Sequence, residues 1–333
     1  MANVHVIGGP TFAVAPGDSV LQGALRQGLG FPHECSVGGC GSCKFELVEG
    51  TAQTLWSAAP GLSDRDRSRG RRLACQSRPQ SDISIKVRLS DECVSPIAPK
   101  RMRLVLASRE QVTHDLTEFT FRGESSADFL PGQYALFAFE GVEGMRAYSM
   151  SNLPSADGVW QFIIRRVADG AATGRLFDRF EVGDEVTVDG PYGHAWLRPL
   201  ERDVVCIAGG SGLAPMLSIA RAASSQLGGG KRRLHFFFGG RRARDMAAST
   251  LLAELPGYGQ SIRCVEVASE GGDHDWAGPN GYVHDSVASE LGDALTNHEI
   301  YFAGPPPMAS AVQEMLMLRF RVPWSQIHRD SFF

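Results

Sequence analysis

Apolar and polar residues alternate through "NVHVIGGPTFAV" (residues 3–14), with Gly8 and Gly9 between the two runs, and this pattern predicts a β-hairpin. The next segment, "VLQGALRQ", spaces its apolar positions for one helical face. Asp18 or Ser19 can cap that helix, and Gly28 stands where helices commonly stop. Strands are expected again at "CKFELVEG" and "ISIKVRLS", completing an α+β unit over residues 1–94. "SPIAPK" has no periodicity and reads as a linker. From "RMRLVLAS" to "DEVTVDGPYG", short alternating segments such as "YALFAFEG" and "WQFIIRRV" are separated by Gly, Pro and Asp, which predicts an antiparallel barrel or sandwich over residues 100–199. Beyond residue 200 the rhythm changes. "DVVCIA" is a continuous apolar run, followed by the loop "GGSGLAP" and the helically spaced "MLSIARAASSQL". "RRLHFFFGG", "SIRCVEVAS" and "HEIYFAGPP" repeat the buried-strand pattern, so residues 200–333 are expected to form an α/β unit around a parallel sheet.

Composition alters this picture little: 43% hydrophobic residues, 21% charged residues and a net charge of −4 describe an ordinary globular chain. No basic stretch followed by an apolar core opens the sequence, so the expected location is cytoplasmic. No apolar run approaches the ~20 residues that cross a bilayer, and no membrane association is expected. The arginine-rich run "DRDRSRGRR" (64–72) reads as a solvated face or, more sharply, as a docking patch for an acidic partner. An acidic chain without aromatic residues interleaved among those arginines argues against nucleic acid.

The cysteines carry the first chemical signal. Seven is an odd number and no secretory leader is apparent, so a disulfide framework explains them poorly. Cys35, Cys40, Cys43 and Cys75 form C-x4-C-x2-C with a fourth cysteine after 31 further residues, the spacing of plant-type [2Fe–2S] ligands. Ser36, Gly38, Gly39, Gly41 and Ser42 make a loop whose N–H groups can turn toward sulfur charge. Zinc is the competing reading, although only one C-x2-C arm is present. A Rieske centre needs two histidine ligands and no C-x-H pair occurs, which leaves His33 to surface or packing. Cys93, Cys206 and Cys264 are scattered singly and read as core cysteines.

Two further stretches suit nucleotides. In "RAYSMSN", extended backbone sends Arg146 and Tyr148 to one face and Ser149 to the other. These side chains suit a pyrophosphate, an aromatic ring system and a ring nitrogen, although a packing strand offers the same residues. "GGSGLAP" opens a helix whose N–H groups and dipole favour phosphate, without the third-glycine spacing of the dinucleotide motif.

Taken with "PGQY", "GPYG", "AGPPPM" and the ending "HRDSFF", these motifs make the chain resemble the flavin-dependent ferredoxin–NADP reductase superfamily. Over nearly its whole length it is similar to the reductase components of bacterial aromatic-ring oxygenases, those of toluene and phenol monooxygenases in particular, with naphthalene-type dioxygenases nearby. The resemblance implies a β-grasp ferredoxin domain, a six-stranded antiparallel FAD-binding barrel and an α/β NAD domain. It implies that Arg146 binds the FAD phosphates, that Tyr148 packs on the isoalloxazine and that Ser149 sits near its N5. Ile164, Arg165, Val167, Gly170, Ala171, Ala172 and Thr173 are then expected along the ribityl and pyrophosphate. Gly209, Gly210, Ser211, Gly212 and Pro215 are expected to contact the nicotinamide nucleotide, with Gly304, Pro305 and Met308 opposite. Phe332, beside the terminal Phe333, is expected to cover the flavin, with Asp330 close by. Ala303 departs from the many relatives that carry cysteine there. Arg241, Arg242 and Arg244 read as adenosine-side contacts or surface charge, with NADH favoured over NADPH. The implied activity is electron transfer by a monomer: NADH to FAD, FAD to [2Fe–2S], and the cluster to an oxygenase component or small ferredoxin. The same route serving deoxysugar dehydration, and a redox-sensing module using the same cofactors, are the alternatives.

Overall fold

The computed structural model describes residues 1–227, 231–270 and 276–332. The N-terminal unit begins with the hairpin β1 (Ala2–Val6) and β2 (Thr11–Val14). Helix α1 (Val20–Arg26) starts in a reciprocal cap: Gln22 N–H donates to Ser19 Oγ at 3.2 Å and Ser19 N–H donates to Gln22 Oε1 at 2.8 Å. Gly23 lets α1 lie on β2, because a Cβ there would stand 2.6 Å from Val14 Cγ2. Strands β3 (Lys44–Glu49) and β4 (Ala52–Thr54), helix α2 (Asp64–Ser68), and strands β5 (Arg71–Leu73), β6 (Ser77–Pro79) and β7 (Ile83–Lys86) complete the unit. Its main sheet runs β2-β1-β7-β3-β5, with β1 and β7 parallel.

The arginine run is only partly a solvated face. Ser63 caps α2, and the buried Asp66 carboxylate accepts from Lys44 at 2.8 Å and from Arg71 at 3.0 Å. Those two cations and the Ser63 hydroxyl hold the Asp66 carboxyl well below the usual carboxylate range, the Lys44 contact most of all. Arg67 donates to the carbonyls of Ser57, Ala59 (2.9 Å) and Leu62 (3.0 Å), so it organises the preceding loop; Arg65 and Arg69 are exposed.

The middle unit contains β8 (Lys100–Gln111), β9 (Leu116–Gly123), β10 (Tyr134–Ala138), β11 (Arg146–Ser149), β12 (Val159–Arg165), α3 (Ala171–Asp178) and β13 (Glu185–Tyr192). Its six strands are antiparallel in the order β11-β10-β13-β8-β9-β12, and a bridge between Met150 and Phe162 brings the two edges together as a barrel. Phe119, Phe121, Phe137 and Phe162 fill the interior. Within "FIIRRVADGAAT", β12 ends at Arg165 and α3 begins at Ala171, and Thr173 Oγ1 ties Val167 and Gly170 into a tight turn between them.

The third unit is all parallel. Its elements are β14 (Asp203–Gly209), α4 (Leu213–Ser224), β15 (Leu234–Gly240), α5 (Ala248–Leu252), β16 (Ile262–Ala268), α6 (Val283–Leu291), β17 (His298–Gly304), α7 (Pro306–Glu314) and β18 (Ile327–Ser331). The order β16-β15-β14-β17-β18 puts β14 in the centre, buried along nearly its whole length as a strand covered on both faces must be. Cys206 lies in this core. The core reading is corrected for the other two lone cysteines: Cys264 is half-buried against the same cluster and Cys93 is half-buried elsewhere, because both fall at positions that the packing leaves open on one side. Among the described residues, no helix is long and apolar enough to cross a membrane.

A charge network joins the first two units. Asp189 on β13 is fully buried and accepts from Arg26 of α1 at 2.5 Å and from the Tyr192 hydroxyl at 2.5 Å. Arg101 of β8 completes the network, 2.6 Å from Asp18 and 3.4 Å from Asp189.

Candidate functional site

The cysteine loop coils because Ser36, Gly38 and Gly41 adopt positive φ (56°, 95° and 78°). Its amides turn inward: Cys40 N–H donates to Cys35 Sγ at 3.3 Å and Ser42 N–H to Cys40 Sγ at 3.4 Å. Cys43 Sγ lies 3.3 Å from Cys75 Sγ. The four thiols thus form two pairs, Cys35 with Cys40 and Cys43 with Cys75, a donor set that fits two irons with two thiolates each. The Cys35 thiol hydrogen-bonds to Cys40 and, with the loop amides and against the effect of burial, pulls Cys40 down to about 5. Cys75 is pushed up by its contact with Cys43 and by burial. The segment that Arg67 organises closes over this loop: Gly61 N–H donates to Gly38 O at 2.9 Å, and a Cβ on Gly41 would meet Gly61 O at 2.5 Å.

The cluster loop is held to the other two units at one junction. The Tyr134 hydroxyl of "PGQY" bonds the Glu34 carbonyl and, at 2.9 Å, Ser36 Oγ, on either side of Cys35. Its ring stacks on Tyr192 at 5.9 Å, and the buried His33 packs 4.5 Å from His194, which answers the surface-or-packing question for His33. Across β10 and β11, Tyr134 is the register partner of Ser149. Ser149 Oγ donates to Asp330 Oδ2 at 2.7 Å, while the neighbouring Arg329 reaches Glu34 Oε1 at 2.9 Å. Burial pushes Asp330 up to about 6 against the opposing Ser149 hydrogen bond.

The residues expected around the flavin divide. Tyr148 stands edge-on to Phe137 at 5.2 Å. Arg146 is exposed and donates to the carbonyls of Glu143 (3.1 Å) and Met145 (3.2 Å). It lies at a cleft of about 1020 Å³ between the ferredoxin unit and the barrel, which Cys75 and Arg101 also line but Tyr148 and Ser149 do not. Ile164 and Ala172 point into the barrel core, whereas Val167 and Ala171 are exposed. Arg165 is pinned to Asp115 at 2.6 Å and reaches Gly210 at the end of β14, where its own strand ends. The turn into α3 fits a diphosphate. No side chain caps the helix at Gly170, a Cβ there would lie 2.5 Å from Thr173 Oγ1, and Arg175 Nε is buried without a partner among the described residues.

At the carboxyl ends of β14 and β17, a cavity of about 440 Å³ is lined by Gly209, Gly210, Arg241, Asp245, Pro305 and Met308. Glycine leaves room here for the Met308 side chain: a Cβ would come 2.5 Å from Met308 Sδ at Gly209 and 2.6 Å from Met308 Cε at Gly304. Gly212 and Pro215 are buried in the strand-to-helix turn and shape it, while Ser211 is half-buried. The backbone N–H groups of Arg241 and Arg242 donate to Asp245 Oδ2 at 2.8 and 2.9 Å, and Arg242 pairs with Glu270 at 2.9 Å. Tyr282 is exposed and stacks on His284 at 5.6 Å, and both line the cavity. Sequence reasoning missed this pair because "GPNGYVHD" has no spacing that points to a ligand; Asp115, Glu34 and Arg329 were missed likewise. Phe332 is half-buried against the core that α4 shares with Leu116 and Ile163; Phe333 lies outside the described residues.

Comparison with known proteins agrees with this division. Residues 4–80 match the family described as a 2Fe-2S iron-sulfur cluster binding domain, residues 103–196 an oxidoreductase FAD-binding domain and residues 206–314 an oxidoreductase NAD-binding domain. The ferredoxin–NAD(P)(+) reductase CarAd of Metapseudomonas resinovorans is 41% identical over 320 residues, 95% of each chain. The xylene/toluene monooxygenase electron transfer component XylA of Pseudomonas putida is 32% identical over 324 residues, 97% of this chain and 91% of the relative. The solved ferredoxin reductase in carbazole 1,9a-dioxygenase superposes with a TM-score of 0.92 at 38% identity, covering 100% of this chain and 98% of that one. The resemblance to reductase components of oxygenase systems that the motifs carry is thereby borne out. FAD bound by such a chain accepts a hydride and releases electrons singly to a [2Fe–2S] cluster, and the protein's part is to hold and orient the groups. With its three cofactor units in this order and relatives matched almost end to end, the chain belongs to the ferredoxin–NAD(P)+ reductase family of flavin- and iron–sulfur-dependent oxidoreductases.

Proposed function

We propose that this chain takes electrons from NADH and delivers them to the oxygenase component, or its small ferredoxin, of a system that oxidises aromatic hydrocarbons, acting as a cytoplasmic monomer of three units (1–94, 100–199 and 200–333). The observation that carries the reading is strand β18, which presents Asp330 to Ser149 of the barrel and Arg329 to Glu34 beside Cys35. Entry and exit of electrons thus share one rigid junction. In this reading Cys35, Cys40, Cys43 and Cys75 are the iron ligands. Tyr148 and Phe332 flank the isoalloxazine, the Ser149–Asp330 pair holds a proton beside it, and Arg146 and the Gly170–Thr173 turn meet the FAD phosphates. In this reading NADH is favoured over NADPH: of Arg241, Arg242 and Arg244 only Arg241 lines the cavity, together with the Asp245 carboxylate, and Glu270 neutralises Arg242. The acceptor follows from relatives named for carbazole and xylene/toluene oxygenase systems. The test is Cys40→Ser. It is expected to abolish NADH-dependent cytochrome c reduction while retaining NADH–ferricyanide activity, and equal retention of both contradicts the route. Sustained cytochrome c turnover by the unaltered protein also excludes a redox-sensing module that consumes one equivalent and stops.

A further inference from the structure

Three side chains converge at the end of the nucleotide sheet opposite its dinucleotide cavity. Asp203 opens β14 and is the register partner of His298, which opens β17; His235 on β15 pairs with Val205, two residues beyond Asp203. Residues two apart on a strand share a face, so all three project from the same side of the sheet. Their donor atoms lie within 4.8 Å of one another. His298 is buried, and its Nδ1–H donates to the Ala294 carbonyl at 2.7 Å, which leaves the lone pair on Nε2. This is how a backbone carbonyl orients an imidazole for a metal. Asp203 Oδ1 accepts from Arg233 N–H at 2.9 Å. Among the described residues, Asp203 Oδ2 and both ring nitrogens of His235 have no hydrogen-bond partner.

We propose that Asp203, His235 and His298 bind a zinc-class divalent transition cation, at a site separate from the four cysteines. Two imidazoles and one carboxylate, with a fourth position for water, are a zinc donor set. Donors in a tetrahedral site with bonds of ~2.1 Å stand about 3.4 Å apart, a distance that half-buried Asp203 and His235 reach by rotating their side chains. A single carboxylate beside two imidazoles disfavours magnesium and calcium, which want several oxygens. A second triad, His114, Asp115 and Asp245, is already committed: Arg165 holds Asp115, and two backbone amides hold Asp245. The proposed cation clamps the amino ends of three strands and so steadies the nucleotide unit from below.

The test is equilibrium dialysis of the holoenzyme against zinc sulfate, removal of free metal, and elemental analysis that counts zinc and iron separately. The wild type is expected to take up one zinc per chain with its iron unchanged. Asp203→Asn and His235→Asn are each expected to bind zinc at least ~10-fold more weakly. Both variants should keep their flavin and cluster absorbance and their NADH–ferricyanide rate, which shows that they are folded. No zinc uptake by the wild type, or equal uptake by the wild type and both variants, overturns the site.

Discussion

Replacing Tyr134 with phenylalanine removes one hydroxyl and keeps the ring that stacks on Tyr192. The lost contacts are those to the Glu34 carbonyl and Ser36 Oγ, which flank Cys35. A buried hydrogen bond contributes about 1 kcal/mol net, and leaving the buried Ser36 hydroxyl unsatisfied adds about 1–3 kcal/mol. The cluster loop should therefore lose about 2–4 kcal/mol of its attachment to the barrel, a ~30-fold or larger rise in the population of its opened form. The assay is loss of cluster absorbance on heating, followed beside flavin release in the same sample. Cluster loss should begin at a lower temperature while flavin release is unchanged, and cytochrome c reduction should fall with NADH–ferricyanide activity retained. Unchanged cluster loss, or cluster and flavin lost together at a common lower temperature, would refute the assignment of Tyr134 as the residue that positions this loop.

Gly212→Ala places a Cβ 2.1 Å from the Ala303 carbonyl oxygen, where neither backbone can yield, and should cost about 3 kcal/mol or more together with NADH affinity; an unaltered midpoint on thermal unfolding would contradict it. Asp189→Ala leaves Arg26 and Arg101 to share Asp18 alone and the buried Tyr192 hydroxyl without its acceptor, and should cost about 2–3 kcal/mol in chemical denaturation, so a loss below about 1 kcal/mol would show that the network is not needed. Asp330 has a folded-state pKa of about 6, above its ordinary 3.8, so it favours the folded state most when protonated. That stability is fully present below about pH 4 and disappears as the pH rises through 6, about 3 kcal/mol in all. Asp330→Asn should accordingly unfold at the same denaturant concentration as the wild type near pH 4 and at a higher one above pH 6; a constant difference across that range would exclude the effect.

Much of this protein was legible without coordinates because it is written locally. Cys35, Cys40 and Cys43, the proposed iron ligands, and the glycine loops at Gly209 and Gly304 lie within short stretches whose spacing points to their chemistry, and hydrophobic periodicity separates the antiparallel unit from the parallel one. Helix α2 was hidden because its stability comes from Lys44 and Arg71 meeting Asp66, not from an apolar stripe. Only the tertiary structure decided the junction, where Tyr134 meets Ser36 across 98 positions, Ser149 meets Asp330 across 181 and Glu34 meets Arg329 across 295. Nothing in the local sequence specifies such pairs. They form when three separately patterned units dock, and docking is set by the shape of buried surfaces and by where buried charges find partners, which no spacing rule along the chain records.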